Sequence, residues 1–406
     1  MTADISPEIF APEVMADPYG YFCRLRDEDP VHWNEKYEVW LITRYDDLVW
    51  LTRNDALFSA SDIKKDPRPP YPAVAESDVE LAKWVGDYLS EQFIQYDPPI
   101  HRDMRKVLQS YFSPRAMEAW RPRARSAIKE LLDAAEDKGE MDVVRDLATP
   151  LPVLVISDMM GVPPSDRDYV RRIAEKLLYI GRGESDRMKI LSEGLREIDE
   201  YVAPMIEERM VNPADDYLSA LAEGEKQGVY TRRQVLVNAA SLLLAGHETT
   251  INLIGNGTLA FLDHPAEWAR FKADPDKLAK LATEECLRYD SPVKSMTRIA
   301  DQDVEMRGKT LRKYDRVRWF MSSANRDPEQ FRDPDTFDIT RHPNQHIAFG
   351  SGSHHCIGAA LARIEGQEAF KALAARFPDM RRDADTLEYS PTITFRALKS
   401  LPVVLP

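Results

Sequence analysis

Residues 346–366 of this 406-residue chain read His-Ile-Ala-Phe-Gly-Ser-Gly-Ser-His-His-Cys-Ile-Gly-Ala-Ala-Leu-Ala-Arg-Ile-Glu-Gly, and Cys356 stands where a glycine-rich loop turns into an amphipathic helix. Gly350, Gly352 and Gly358 let the backbone pass close to a neighbour, and the amides that open the helix favour a sulfur anion. A thiolate so placed is a metal ligand or a nucleophile. Zinc would want further cysteine or histidine ligands at short, regular spacing, and Cys23 and Cys286 lie far away in sequence. A heme iron needs only one axial thiolate.

Two other segments carry residue types suited to chemistry. Apolar spacing predicts a helix over about 232–262, roughly 45 Å long at 1.5 Å per residue. His247, Glu248, Thr249, Asn252 and Asn256 interrupt it too often for a membrane span. An acid and hydroxyls in a buried helix are either satisfied internally or serve chemistry. Glu285 and Arg288 are spaced three apart, on one helix face, as a surface ion pair often is.

The spacing Phe349-Gly350-x-Gly352-x-His354-x-Cys356-x-Gly358, followed by Leu361-Ala362-Arg363-x-Glu365, resembles the heme-binding loop of the cytochrome P-450 family. Six fixed residue types in ten positions make this a specific signal. The resemblance covers nearly the whole chain and implies a single large domain (1–406) of the cytochrome P-450 fold, mainly α with a minor β region. It implies that Cys356 ligates the iron of heme b (iron protoporphyrin IX) within a heme loop, 346–358, whose Ala348, Phe349, Gly350 and Gly358 line the cofactor. His101, Arg105, Arg298 and His354 match the family's propionate donors.

Ala245-Gly246-His247-Glu248-Thr249-Thr250 resembles the family's oxygen-activation motif. On that resemblance Ala245 and Gly246 let dioxygen or substrate approach the backbone, Thr249 bonds back to the preceding turn and holds water, and Glu248 relays protons. Aspartate is the more usual acid at this position in bacterial members. Glu285-x-x-Arg288 resembles the family's buried pair, completed by an arginine of the following meander, here Arg341. A buried pair with a third charged partner holds a unique geometry rather than adding much stability.

The function so implied is a heme-thiolate monooxygenase that inserts one oxygen atom of dioxygen into a small organic substrate. No flavin or iron–sulfur motif is present, so electrons would come from a ferredoxin or other redox partner with a NAD(P)H reductase. Isomerase, dehydratase or peroxide-driven chemistry on the same fold is the alternative, and a heme-based sensor a third class; Glu248-Thr249 counts against both. Leu242, Ala245, Val293, Lys294, Met296 and Ile393 are the expected substrate-pocket residues, with Lys294 weighed between pairing with a substrate carboxylate and either snorkelling to solvent or serving the fold. No motif specifies the substrate.

The remaining elements must position these groups. A first helix is expected over 17–26, paired strands over 31–33 and 39–43, and a helix over 45–53. Periodicity weakens across about 57–95, where Pro67, Pro69, Pro70 and Pro72 exclude regular helix early on, so this segment reads as a substrate lid. Helical patterning then dominates to about 264, with breaks near Pro114, Pro150, Pro163 and Pro213. Strand alternation returns over 292–319 and from Ile393 onward, on either side of a polar meander over 327–343.

A net charge of −14 argues against bulk nucleic-acid binding. It leaves room for a local basic patch, and Arg102, Lys106, Arg115, Arg121 and Arg363 are the candidates for a partner's dock. The first ten residues have neither a basic region nor an apolar core, so no signal peptide or membrane anchor is expected. Three cysteines fit a reducing cytoplasm.

Overall fold

Helices carry most of the described residues in the computed structural model, which describes residues 9, 11–66, 78–136, 138–178, 184–383 and 387–405. The chain forms two compact units. Met1–Phe58, Trp120–Leu151 and Thr249–Pro406 make the first, Ser59–Ala119 and Pro152–Glu248 the second. The boundary falls inside one helix, Arg232–Asp263, between Glu248 and Thr249. The single large domain implied by the resemblance therefore carries an internal division.

The first unit contains the minor β region. Val31–Asn34 pairs antiparallel with Val39–Ile42, which runs parallel to Arg316–Trp319; Met296–Ala300 lies antiparallel on the far side of that strand. Directly opposed residues share a face. The pairs Trp40↔Val317, Ile42↔Trp319, Met296↔Trp319 and Arg298↔Val317 thus put all of these side chains on one side. Trp40, Ile42, Val317 and Trp319 bury there with Leu48, Leu51 and Ile347, and Val39 and Leu41 bury on the other side with Phe22 and Leu25. Each large apolar side chain so covered contributes about 1.5–3 kcal/mol. The helix Tyr45–Arg53 and the segment leading to Cys356 are thereby seated on one core.

In the same unit, Ala359–Arg376 packs against both Arg121–Glu136 and Pro275–Tyr289. Gly257 lets the long helix approach two of these helices closely. A Cβ there would lie 2.4 Å from Phe370 Cζ, closer than real side chains come, and 3.1 Å from Cys286 Sγ, a tight contact.

The second unit is helical. The Tyr230 hydroxyl donates to the Met104 carbonyl at 2.8 Å, the Tyr217 hydroxyl donates to the Asn238 carbonyl at 3.1 Å, and the Phe93 amide donates to the Asn238 side chain at 3.0 Å. The stretch over 57–95 is more regular than expected. Val79–Leu89 is a three-turn helix with Ala82, Val85 and Tyr88 as its buried stripe, and the Tyr88 hydroxyl donates to Asp199 at 2.5 Å. Pro67, Pro69, Pro70 and Pro72 lie outside the described residues. The strand expected from Ile393 is confined to Pro402–Val404, preceded by single bridges at Phe395 and Leu398. Arg396 in between is drawn inward to Asp290, at 3.1 Å, and does not follow a strand alternation.

Candidate active site

Cys356 lies in a loop of the first unit that is tied down at several points. The Ile347 amide donates to Asn325 Oδ1 at 2.8 Å. Gly350 closes a turn on the Ile347 carbonyl at 2.8 Å, and the Cys356 amide donates to the Phe349 carbonyl at 2.9 Å, folding the loop's exit onto its entrance. Gly352 has φ +73°, and a Cβ there would sit 2.1 Å from the Thr52 carbonyl oxygen. Any side chain would force the loop off the helix Tyr45–Arg53. Cys356 is exposed and in no disulfide, two residues before Gly358, the N-cap of Ala359–Arg376, where the helix dipole favours a thiolate.

The support beneath this loop is a buried charge cluster. Glu285 and Arg288 are both fully buried and joined by two 2.8 Å hydrogen bonds. Arg288 also donates to the carbonyls of Asn325 at 3.0 Å, Pro334 at 2.6 Å and Thr336 at 2.9 Å. Glu285 further accepts from the Asp338 amide at 2.9 Å, Asn344 at 3.1 Å and Arg341 at 3.2 Å. Arg341 is thus the third charged partner. Asn325 and Asn344 were missed by sequence reasoning, and no spacing signal marks either. Asn325 is the coupling residue, since its carbonyl meets Arg288 while its side chain holds Ile347.

Glu284 forms a second, unexpected brace. It accepts from Arg363 at 2.7 and 2.8 Å and pairs with His346 at 3.0 Å. Burial opposes its charge, but these two partners outweigh it and hold the carboxyl down at about 2. Arg363 lies 4.5 Å over the Phe349 ring, so the sequence-predicted Phe349 is clamped from the helix side.

Of the expected propionate donors, Arg298 and His354 belong to the first unit, His101 and Arg105 to the second. Arg298 is buried and stacks over Trp319 at 5.8 Å. His101 is buried and stacks on Phe93 at 5.9 Å. An exposed thiol in a glycine-required cradle, with a buried guanidinium on the adjacent sheet, matches what heme asks of a protein: one axial sulfur and cationic donors for its carboxylates. Among the described residues no cluster of three or more His, Cys, Asp or Glu forms a metal site of protein ligands alone.

On the long helix, Ala245 is exposed and Gly246, Glu248 and Thr249 are half-buried. Burial pushes Glu248 up to about 7, with Arg187 acting in the opposite direction. A packing reason accounts for Gly246: a Cβ would meet Ile156 Cδ1 at 2.8 Å. One residue past Thr249, the Thr250 hydroxyl donates to Glu365 at 3.4 Å. Burial raises the Glu365 carboxyl to about 8 despite that bond. Sequence reasoning noted Glu365 only as part of the helix after the loop.

The expected pocket residues divide. Leu242, Val293 and Met296 are partly or well exposed. Lys294 is 3% exposed, and its Nζ donates to the Met15 carbonyl at 3.3 Å, so it reaches neither solvent nor a free carboxylate. Ile393 packs on the core of Phe22 and Leu25. Two expected docking cations are engaged: Arg121 bonds Glu368 and Gln367, and Arg363 bonds Glu284. Arg102, Lys106 and Arg115 are exposed.

A mainly helical chain with a minor sheet, carrying an exposed thiol just before a helix, has the parts an oxygen-using heme oxidoreductase would need. A cytochrome P450 family profile matches residues 277–378. The polyketide-biosynthesis cytochrome P450 PksS of Bacillus subtilis is 35% identical over 399 residues, 96% of each chain. The 6-deoxyerythronolide B hydroxylase of Saccharopolyspora erythraea is 34% identical over 411 residues, 98% of each. The solved PksS structure superposes with a TM-score of 0.87 at 34% identity, covering 98% of both chains. That of P450BioI bound to an acyl carrier protein carrying hexadec-9Z-enoic acid gives 0.84 at 32% identity, covering 97% of this chain and 100% of that one. The chain belongs to the cytochrome P450 family. It is an oxygen-incorporating monooxygenase with a heme cofactor. No helix among the described residues is long and apolar enough to cross a membrane.

Proposed function

We propose that this protein inserts one oxygen atom of dioxygen into a small organic substrate, using heme b held by Cys356 and electrons from a separate ferredoxin and its NAD(P)H reductase. Bound heme supplies the oxygen-splitting chemistry, and an anionic sulfur ligand favours O–O cleavage by electron donation. The chain's own residues do the rest. Arg298, His354, His101 and Arg105 hold the propionates, and Ala348, Phe349, Gly350 and Gly358 shape the proximal wall. Thr249 positions water, and Glu248, poised near neutrality, passes protons inward. Leu242, Ala245, Val293 and Met296 face the substrate, and the two units work as one domain in the cytoplasm.

The observation that carries this reading is the exposed Cys356 thiol at the mouth of a helix, in a loop that only glycine at 352 permits. Absorption of the reduced, carbon monoxide-bound protein tests it. The Soret band should be strongly red-shifted in the parent and lost in Cys356→Ser, and a band retained in the variant refutes the ligand assignment. The Glu248-Thr249 pair favours dioxygen over the peroxide-driven alternative. Turnover with a surrogate ferredoxin–reductase pair, exceeding that with hydrogen peroxide, separates them.

Arg102, Lys106 and Arg115 supply the docking charge for an acidic ferredoxin, so donor-dependent reduction should slow as salt rises. The relatives of polyketide and acyl-carrier chemistry support a carrier-presented or lipid-like substrate, which difference spectra with free and carrier-bound acyl chains would test.

A further inference from the structure

Trp319 presents a buried donor with nothing to receive it. The residue is 3% exposed, and its indole Nε1 has no hydrogen-bond partner among the described residues. An indole nitrogen can only donate, and buried tryptophans ordinarily find an acceptor for it. Its surroundings point to an anionic one. In the sheet, Met296 lies directly opposite Trp319 and Arg298 opposite Val317, so Arg298 and Trp319 are diagonal neighbours on one face. The Arg298 guanidinium lies over the indole ring at 5.8 Å. On another side, Gly350 of the cysteine loop comes within contact distance: a Cβ there would be 3.7 Å from Trp319 Cη2. The indole is thus wedged between a buried cation and the loop that carries Cys356.

We propose that Trp319 is a heme-binding residue, whose indole N–H donates to the propionate that Arg298 neutralises. This rests on the heme reading above. The ring does two things at once: its face orients the guanidinium, and its edge supplies a neutral donor that adds no charge to a buried place. Neither motif spacing nor residue type singles out this position. Only the strand register brings it to Arg298.

Heme release measures the contribution. The parent, Trp319→Phe and Trp319→His are loaded with heme, and its transfer to excess apomyoglobin is followed by absorbance, with thermal melts of each apoprotein as a folding control. Trp319→Phe should lose heme about tenfold faster, one charge-assisted hydrogen bond's worth, and Trp319→His, which keeps a ring N–H, should recover part of that. The indole N–H marker band in ultraviolet resonance Raman spectra of the parent should shift on heme loading, a change a packing role would not produce. Equal release rates in folded Trp319→Phe and parent overturn the proposal. An unshifted indole band overturns it even if neither variant folds. Failure of the parent itself to give the thiolate-type carbon monoxide spectrum would instead refute the heme reading.

Discussion

Glu285 and Glu365 are both glutamates buried in the first unit, and their surroundings differ in the number and charge of donors. Glu285 meets two guanidiniums, a main-chain amide and a side-chain amide. Glu365 meets one hydroxyl, from Thr250, and its Oε1 has no partner among the described residues. The first arrangement compensates a full negative charge and fixes the meander beneath the cysteine loop. The second cannot, so burial keeps Glu365 protonated up to about 8. Glu248 is half-buried with its pKa raised to about 7, so it is able to exchange a proton near neutral pH. Donor count, not residue type, separates a structural acid from a proton-handling one.

The largest effect is expected at the saturated site. Glu285→Ala leaves Arg288 buried without its carboxylate, and should cost about 3–5 kcal/mol and empty the protein of heme; thermal melting and pyridine hemochrome content measure both. Near-parental stability would mean that the main-chain acceptors around Arg288 suffice. Next comes Glu365. Its folded pKa is raised, so its contribution to stability is fully present below the unfolded value of 4.5 and is lost as pH rises toward about 8. The slope should approach 1.4 kcal/mol per pH unit in that window. Glu365→Gln should flatten denaturant-derived stability between pH 5 and 8 by about that slope, and an unchanged profile would show that Glu365 is ionised as Glu285's setting would allow.

Glu248→Gln should lower coupled turnover about a hundredfold, at the low end for a lost proton relay, and should remove the decline in rate as pH rises through about 7. A variant that keeps the parent's pH–rate profile would take Glu248 out of the proton path. The smallest effect belongs to Asn344→Ala. It deletes one of several donors to Glu285 and should cost about 1 kcal/mol by melting, with heme content unchanged. A larger loss would mean that the cluster is cooperative and not a sum of contacts.

Much of the site was legible because its code is local. The helix Tyr45–Arg53 falls where its periodicity ends, and the long helix Arg232–Asp263 runs within a residue of its expected end. The less legible parts depend on burial. Val79–Leu89 reads as weak periodicity beside prolines, yet it forms a helix that buries Ala82, Val85 and Tyr88, with the Tyr88 hydroxyl bonded to Asp199, 111 residues away. Lys294 and Ile393 sit in stretches expected to line a pocket, and what they touch is Met15 and the Phe22–Leu25 core.

By itself the sequence determined the family, the candidate sulfur ligand and the glycine loop, since these reside in residue types within about ten positions of one another, where backbone geometry alone sets the requirement. The tertiary structure decided which carboxyls are charged, which cations are free to meet a partner, and that Trp319 stands beside Arg298. Those properties depend on donors brought in from far along the chain, as Asn344 is to Glu285 across 59 residues, and on the water that packing excludes; neither quantity exists until the chain has folded.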